Sequence, residues 1–357
     1  MDTKFSKLRF EQFAKGAAAA AIVGAMAMQA GAANANDVKT HRNSPTATGS
    51  IAVHAGNAVW YLNTNITFTT ISSNWGFSEA SLHTAAGTRT DAYDGVLSWL
   101  VSTGTPGAAD GYRSPGGVVD ISPNNPPSNP AVPTTVTGTT QSLAGLNVSG
   151  QVYFPVNKAV VRSILNLQNP TGADITVNVE STNNLGSDSN TVIDATSSGD
   201  NPFNYANDHW FVSSQGNPLI PKDPVLTFAL SMAGAPVQPV GVQGPTNGND
   251  RPYWEYTITV PAGQTRSLMV FSQLSDTIAD AQTDAAAFNS NASLQASGYL
   301  AGLTPTQQGQ IVNWALSATT APIPTLGRWA MLLLSGLVAI FGLTRFKFLR
   351  RRFSQTT

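Results

Sequence analysis

From Ile175 to Glu180 the chain reads Ile-Thr-Val-Asn-Val-Glu, apolar at every second residue and polar between. A period of two turns one side of an extended strand toward a core and the other toward water, and it excludes a helix over the same residues. Similar β-branched and aromatic runs recur along the chain. Ile51 to Thr70 holds two strands, Tyr93 to Val101 another, and Val118-Val119 begins a fourth. Val152 to Phe154, Val160 to Leu167, His209 to Val212, Val225 to Leu230, Tyr253 to Val260 and Ser267 to Phe271 supply the rest. The turn Asn169–Asp174 predicts an antiparallel hairpin between 160–167 and 175–180, and Pro261-Ala262-Gly263-Gln264 predicts a second between 253–260 and 267–271. No fixed repeat period links them. Short strands punctuated by Gly, Pro and Asn predict a mainly β protein, an antiparallel β-sandwich, either one large sandwich or a double one.

Residues 36–50 are polar and aperiodic, a flexible lead-in to a β-rich region over 51–119. Residues 120–140 carry Pro123, Pro126, Pro127, Pro130 and Pro133, which forbid helix and central strand. They predict a linker before a sandwich over 141–274, or else a long loop inside one sandwich. Helical signals are confined to 275–320. Ser275–Phe288 places Ile278, Ala281, Ala285 and Phe288 on one side and Asp276, Asp280 and Asp284 at i, i+4 spacing on another. Thr304-Pro305-Thr306-Gln307 is a capping box with Pro at the first helical position, followed by Ile311, Trp314 and Ala315. Both helices are expected to pack on the sandwich.

Between residues 36 and 320 there are nine Lys and Arg against eighteen Asp and Glu, a formal charge of −9. No basic stripe exists to replace counterions, so nucleic acid is excluded as a partner. With 0 Cys, neither disulfides nor thiol chemistry are available.

Both ends of the chain lie outside the predicted fold. Lys4, Lys7, Arg9 and Lys15 precede the Ala-rich run Gly16–Met28, and Ala33-Asn34-Ala35 offers an A-x-A cleavage site, so 1–35 reads as a secretory signal peptide handled by the export machinery. At the other end, Trp329 to Leu343 carries no charge, and at ~1.5 Å per residue it covers about 22 Å of a ~30 Å hydrocarbon core. Arg345, Lys347, Arg350, Arg351 and Arg352 follow it, which predicts a single transmembrane helix with its C-terminus in the cytoplasm and the body outside. Pro322 and Pro324 keep the segment before it extended.

The order Ile323-Pro324-Thr325-Leu326, Trp329 after Gly327-Arg328, a hydrophobic helix and an Arg cluster resembles the IPTL-CTERM sorting domain of Gram-negative bacteria, a relative of PEP-CTERM tails. The resemblance covers 321–357 and implies a membrane-embedded, exosortase-like enzyme that cuts near Pro324-Thr325-Leu326. It also implies polysaccharide as a neighbour, since PEP-CTERM relatives accompany exopolysaccharide production.

Chemical motifs are sparse. His41, His54, His83 and His209 show no metal-ligand spacing, and no G-x-S-x-G, P-loop or G-x-G-x-x-G follows a strand. Asp188, Asp194 and Asp200 recur every six residues among Asn, Ser and Gly, oxygen ligands of the kind Ca²⁺ takes outside the cell; the plainer reading is a solvated loop whose Asx residues make their own turns. Of the tryptophans, Trp60, Trp99, Trp210 and Trp254 sit in strand patterns, and Trp75, in a Ser-Asn-Trp-Gly turn, is the one pointer to sugar stacking. These features together predict an exported cell-envelope or surface protein of structural, adhesive or matrix type. The alternative is a secreted polysaccharide-active enzyme, with His209, Arg251, Tyr253 and Glu255 as candidate groove residues, or a carbohydrate- or calcium-binding module on the same sandwich.

Overall fold

The computed structural model describes residues 50–63, 75–115, 118–122, 129–216 and 223–316. The strands are β1 (Ser50–Ala55), β2 (Ala58–Asn63), β3 (Phe77–Thr84), β4 (Gly87–Arg89), β5 (Tyr93–Ser102), β6 (Val118–Ser122), β7 (Thr134–Gly138), β8 (Gln141–Leu143) and β9 (Leu146–Phe154). They continue as β10 (Val160–Gln168), β11 (Ile175–Leu185), β12 (Val192–Thr196), β13 (Trp210–Ser214), β14 (Val225–Ala229), β15 (Val240–Gln243), β16 (Tyr253–Val260) and β17 (Thr265–Ser275). One sheet has eight strands in the order β1-β2-β3-β5-β11-β16-β15, with β4 on β3; the other has nine, β12-β13-β14-β17-β10-β9-β7-β6, with β8 on β9.

The expected sandwich is present, but the two expected hairpins are not hairpins. β10 pairs with β9 and β17, whereas β11 pairs with β5 and β16. The turns after Gln168 and Val260 therefore carry the chain from one sheet to the other. Alternation tells which side of a strand is buried, not which strand lies beside it. Here the apolar sides of β10 and β11 meet the same core from opposite sheets: Leu165 and Leu167 from one, Val177 and Val179 from the other.

The two crossings lie side by side and are tied together. Asn169 N–H donates to the Gln264 carbonyl at 2.9 Å, and Ala262 N–H to Asp174 Oδ1 at 2.9 Å. The Asn169 side chain, fully buried, donates to the Ala173 and Val260 carbonyls at 2.7 and 2.9 Å and accepts from Thr171 N–H at 2.9 Å.

The core between the sheets is aromatic. Trp60 packs edge-on against Phe77, with ring centroids 5.5 Å apart, and Phe211 stacks on Phe228 at 5.5 Å. Trp75 belongs to this core and is not a surface platform: it is 1% exposed and packs on Tyr112, and a Cβ at Gly150 would stand 2.6 Å from its indole nitrogen.

Three short helices, α1 (Ile278–Ala285), α2 (Asn291–Ala296) and α3 (Pro305–Gln310), form a third layer. Thr277 caps α1 by accepting from Asp280 N–H, and Thr304 with Gln307 forms the expected capping box at α3. Ala281, Ala285, Phe288, Leu294 and Trp314 pack with Met269 and Phe271 of β17 as a second core on the outer side of the nine-stranded sheet. The chain then threads back along β17. Val312 N–H donates to the Ser267 carbonyl, while the Asn313 amide donates to the Met269 and Leu230 carbonyls and its oxygen accepts from Met269 N–H.

The 120–140 segment does not separate a pair of sandwiches. β6 and β7, at its two ends, pair with each other inside the nine-stranded sheet. β5 from 51–119 pairs with β11 from 141–274 in the eight-stranded sheet, so strands on both sides of the segment share a sheet. Pro123, Pro126 and Pro127 fall outside the described residues. So do the expected signal peptide with Ala33 and Ala35, the transmembrane segment and its basic flank. Among the described residues no helix is long and apolar enough to cross a membrane.

Candidate functional site

A cleft of about 320 Å³ opens where the start of β10, the end of β17 and the first turns of α1 meet. Its lining follows from local structure. The alternation of β17 puts Leu274 into the core between the sheets and Gln273 on the opposite side, where Gln273 pairs in register with Val160. The helical repeat of α1 stacks Asp280 and Asp284 one turn apart, on the flank next to the buried Ala281 and Ala285. From the facing edge comes the β1–β2 turn. Gly56 has φ +59°, and a Cβ there would stand 2.7 Å from the Lys158 backbone, so a residue without a side chain is needed to let the turn close on the cleft and bring Asn57 into its wall.

Charge is partly matched within this cleft. Arg89 Nε donates to Asp276 Oδ1 at 2.6 Å. Lys158 Nζ donates to the Ser297 carbonyl at 2.8 Å and lies 4.8 Å from the centre of the Tyr299 ring. Gln273 Nε2 donates to Asp284 Oδ2 at 2.7 Å, yet its Oε1 has no hydrogen-bond partner although the residue is only 2% exposed. Burial pushes the Asp284 carboxyl up from its ordinary range and Asp280 adds to this, against the opposing pull of the Gln273 hydrogen bond and the Lys158 ammonium. The Tyr299 phenol is raised as well, by burial and then by Asp284. Carboxylate acceptors, an ammonium and a phenol thus share one small concavity.

The residues singled out from the sequence lie elsewhere. Among the described residues no three His, Cys, Asp or Glu side chains are placed to hold a metal ion, so Asp188, Asp194 and Asp200 do not converge. Asp188 begins a 3-10 turn with φ +51°, Asp194 on β12 is held by Ser214, and Asp200 accepts from the Ser198 hydroxyl. That loop is organised by an aspartate outside the six-residue pattern. Asp208, buried, accepts from Ser198 N–H at 2.9 Å, Ser198 Oγ at 2.6 Å and Asn204 N–H at 2.8 Å. Burial disfavours its charge, but these donors outweigh it and hold the carboxyl below the usual range.

His209, Arg251, Tyr253 and Glu255 do not share a sheet. His209 stands just before β13 with its Nδ1 3.2 Å from Ser231 Oγ, while Tyr253 and Glu255 lie on β16 in the other sheet. Glu255 instead pairs in register with Glu180, whose carboxyl is raised by burial and then by Glu255. The sequence carries one signal for the cleft, the i, i+4 aspartates. Lys158 and Gln273, more than a hundred residues apart, can be joined only by knowing that β10 and β17 are neighbours.

Comparison with solved structures finds similar outlines at low identity. A putative aldose 1-epimerase from Klebsiella pneumoniae is 9% identical, with a TM-score of 0.38, over 73% of this chain and 84% of its own. A heparan sulfate lyase from Pedobacter heparinus is 15% identical, with a TM-score of 0.38, over 78% of this chain and 42% of its own. A galactose mutarotase-like protein from Lactobacillus casei is 9% identical, with a TM-score of 0.36, over 63% of this chain and 100% of its own. At these scores the similarity says nothing of residues or chemistry. No curated protein matches the sequence. The sequence-level match is in the tail: residues 321–352 match the IPTL-CTERM motif, and the chain carries a C-terminal sorting signal of that kind.

Proposed function

We propose that this chain is an exported cell-envelope protein whose β-sandwich body is displayed outside the inner membrane and whose tail is read by an exosortase-like enzyme near Pro324-Thr325-Leu326. Its role is structural or adhesive, in a surface layer or matrix. The match of residues 321–352 to the IPTL-CTERM motif carries the reading. Two further observations support it. The body is acidic and free of cysteine, so it can stand outside the cell without disulfide chemistry. Its last described residues include Asn313 and Trp314, both locked to Met269, so the described body is anchored shortly before the residues that match the motif.

The test is mass spectrometry of both mature ends of the protein recovered from its own cells. Ends near Asn36 and near Pro324 are expected. An intact Thr357 on a surface-exposed chain would reduce the tail to a plain anchor, and a chain retained in the cytosol with Met1 intact would overturn the reading. A variant with Pro324, Thr325 and Leu326 all replaced by Ala should keep its tail and accumulate in the inner membrane.

A further inference from the structure

We propose that the cleft between β10, β17 and α1 binds an uncharged, hydroxyl-rich ligand of monosaccharide size, a neutral sugar unit held by Lys158, Gln273, Asp280, Asp284 and Tyr299. The reading starts from Gln273, a residue of the cleft wall. Its Oε1 is closed off from solvent and unpartnered, at a cost of roughly 1–3 kcal/mol, while its nitrogen is committed to Asp284; a turn of the side chain toward the cleft would bring that oxygen to a ligand's donor. The cleft, at about 320 Å³, lies at the small end of the ~300–1,000 Å³ typical of small-molecule sites.

The kind of ligand follows from the lining groups. Asp280 and Asp284 offer acceptors; Lys158 keeps N–H donors beyond the one given to Ser297, and the Tyr299 phenol is a further donor. A hydroxyl group both donates and accepts, so a ring bearing several of them can use both sets, with adjacent hydroxyls spanning one carboxylate. An anionic ligand would face Asp280 and Asp284. A polyamine would face Lys158, and the Arg89 guanidinium on Asp276 already supplies that carboxylate with its cation. Val160, Leu82 and Leu274 provide the apolar wall against which the C–H side of a sugar ring packs. The sheet faces and the predicted loop residues Asp188, Asp194 and Asp200 take no part.

The inference stands apart from the export reading: a cleft that binds nothing would leave the sorting of the chain untouched. The experiment uses the full chain in micelles of a detergent without a sugar head group. Saturation-transfer NMR is recorded with glucose, galactose and mannose, with glucuronate and putrescine as charged counterparts. Transfer to at least one neutral hexose is expected, with affinity reduced tenfold or more in Asp284→Ala and in Lys158→Met. The Asp284 side chain takes no part in the helix cap, and both variants are checked by melting temperature. Asp200→Ala, in the β12–β13 loop, should bind as the parent does. Absence of transfer to all three hexoses, a preference for glucuronate or putrescine, or unchanged binding in the two folded cleft variants would overturn the proposal.

Discussion

Single side chains carry much of this fold because no covalent crosslink exists. Asn169 is the clearest case: its side chain makes hydrogen bonds to Thr171, Ala173 and Val260 from a fully buried position beside both sheet crossings. Asn169→Ala leaves the Val260 carbonyl without that donor, and at ~1–3 kcal/mol per orphaned group it should destabilise the protein by about 2–4 kcal/mol in urea unfolding, with the slope unchanged.

Glu79 makes a prediction about pH. Its carboxylate accepts from the N–H groups of Ala80 and Ala92 at 2.7 and 3.0 Å, yet burial, with Asp91 adding, pushes it up to about 8. A carboxyl raised in the fold keeps its proton where the unfolded chain has lost it. The contribution of Glu79 to stability is therefore greatest below the ordinary carboxyl range and declines as pH rises from about 4.5 to about 8, by up to ~1.4 kcal/mol per pH unit. Above that window it levels off. Melting temperatures from pH 4 to 9 should show this slope, and Glu79→Gln should flatten it; a parent protein that gains stability across the window would refute the assignment.

At the scale of elements, the helical layer is held by packing and by a few polar anchors. Phe288 lies 5.2 Å from Phe271 and 5.5 Å from Tyr299, centre to centre. Phe288→Ala should cost about 3–5 kcal/mol in chemical denaturation and loosen the layer before the sheets, seen as faster hydrogen exchange in α1 and α2 than in β5 or β11. Arg162 anchors the same layer. It is buried, with no carboxylate partner among its hydrogen bonds, and donates to the Tyr299 and Ala301 carbonyls at 2.6 and 3.0 Å beneath the Tyr153 ring.

Many of the strands are legible in the sequence, but β3, β4, β7, β8, β12 and β15 are not, and neither is the pairing. β3 and β4 are hidden there because Ser78, Glu79, His83 and Thr84 dilute the apolar rhythm, and β4 is three residues long. The crossings read as hairpins although the residues hold a clue. β11 and β16 alternate cleanly, as strands with one wet face do. β10 and β17 carry the pairs Val160-Val161, Ile164-Leu165 and Met269-Val270, apolar on both sides. β10 and β17 are buried on both sides because the helical layer covers the side turned away from the core between the sheets. The cleft inherits the same limit, since its walls come from strand ends that only the pairing brings together.

For the molecule as a whole, both crossings leave each sheet waiting for distant sequence. β10 lies between β9, which is close in the chain, and β17, which begins nearly a hundred residues later. β11 likewise needs β16. Neither sheet can be completed until residues beyond 253 are available, and the helical layer needs Asn313 and Trp314 as well. A polypeptide moved head-first through a narrow channel would thus reach the far side with its first two hundred residues still unable to lock. Such late closure keeps the chain threadable for most of its passage, and the same lateness means that the final strand and helices, not the first, set when the emerging protein stops being a string and becomes a body too wide to slip back.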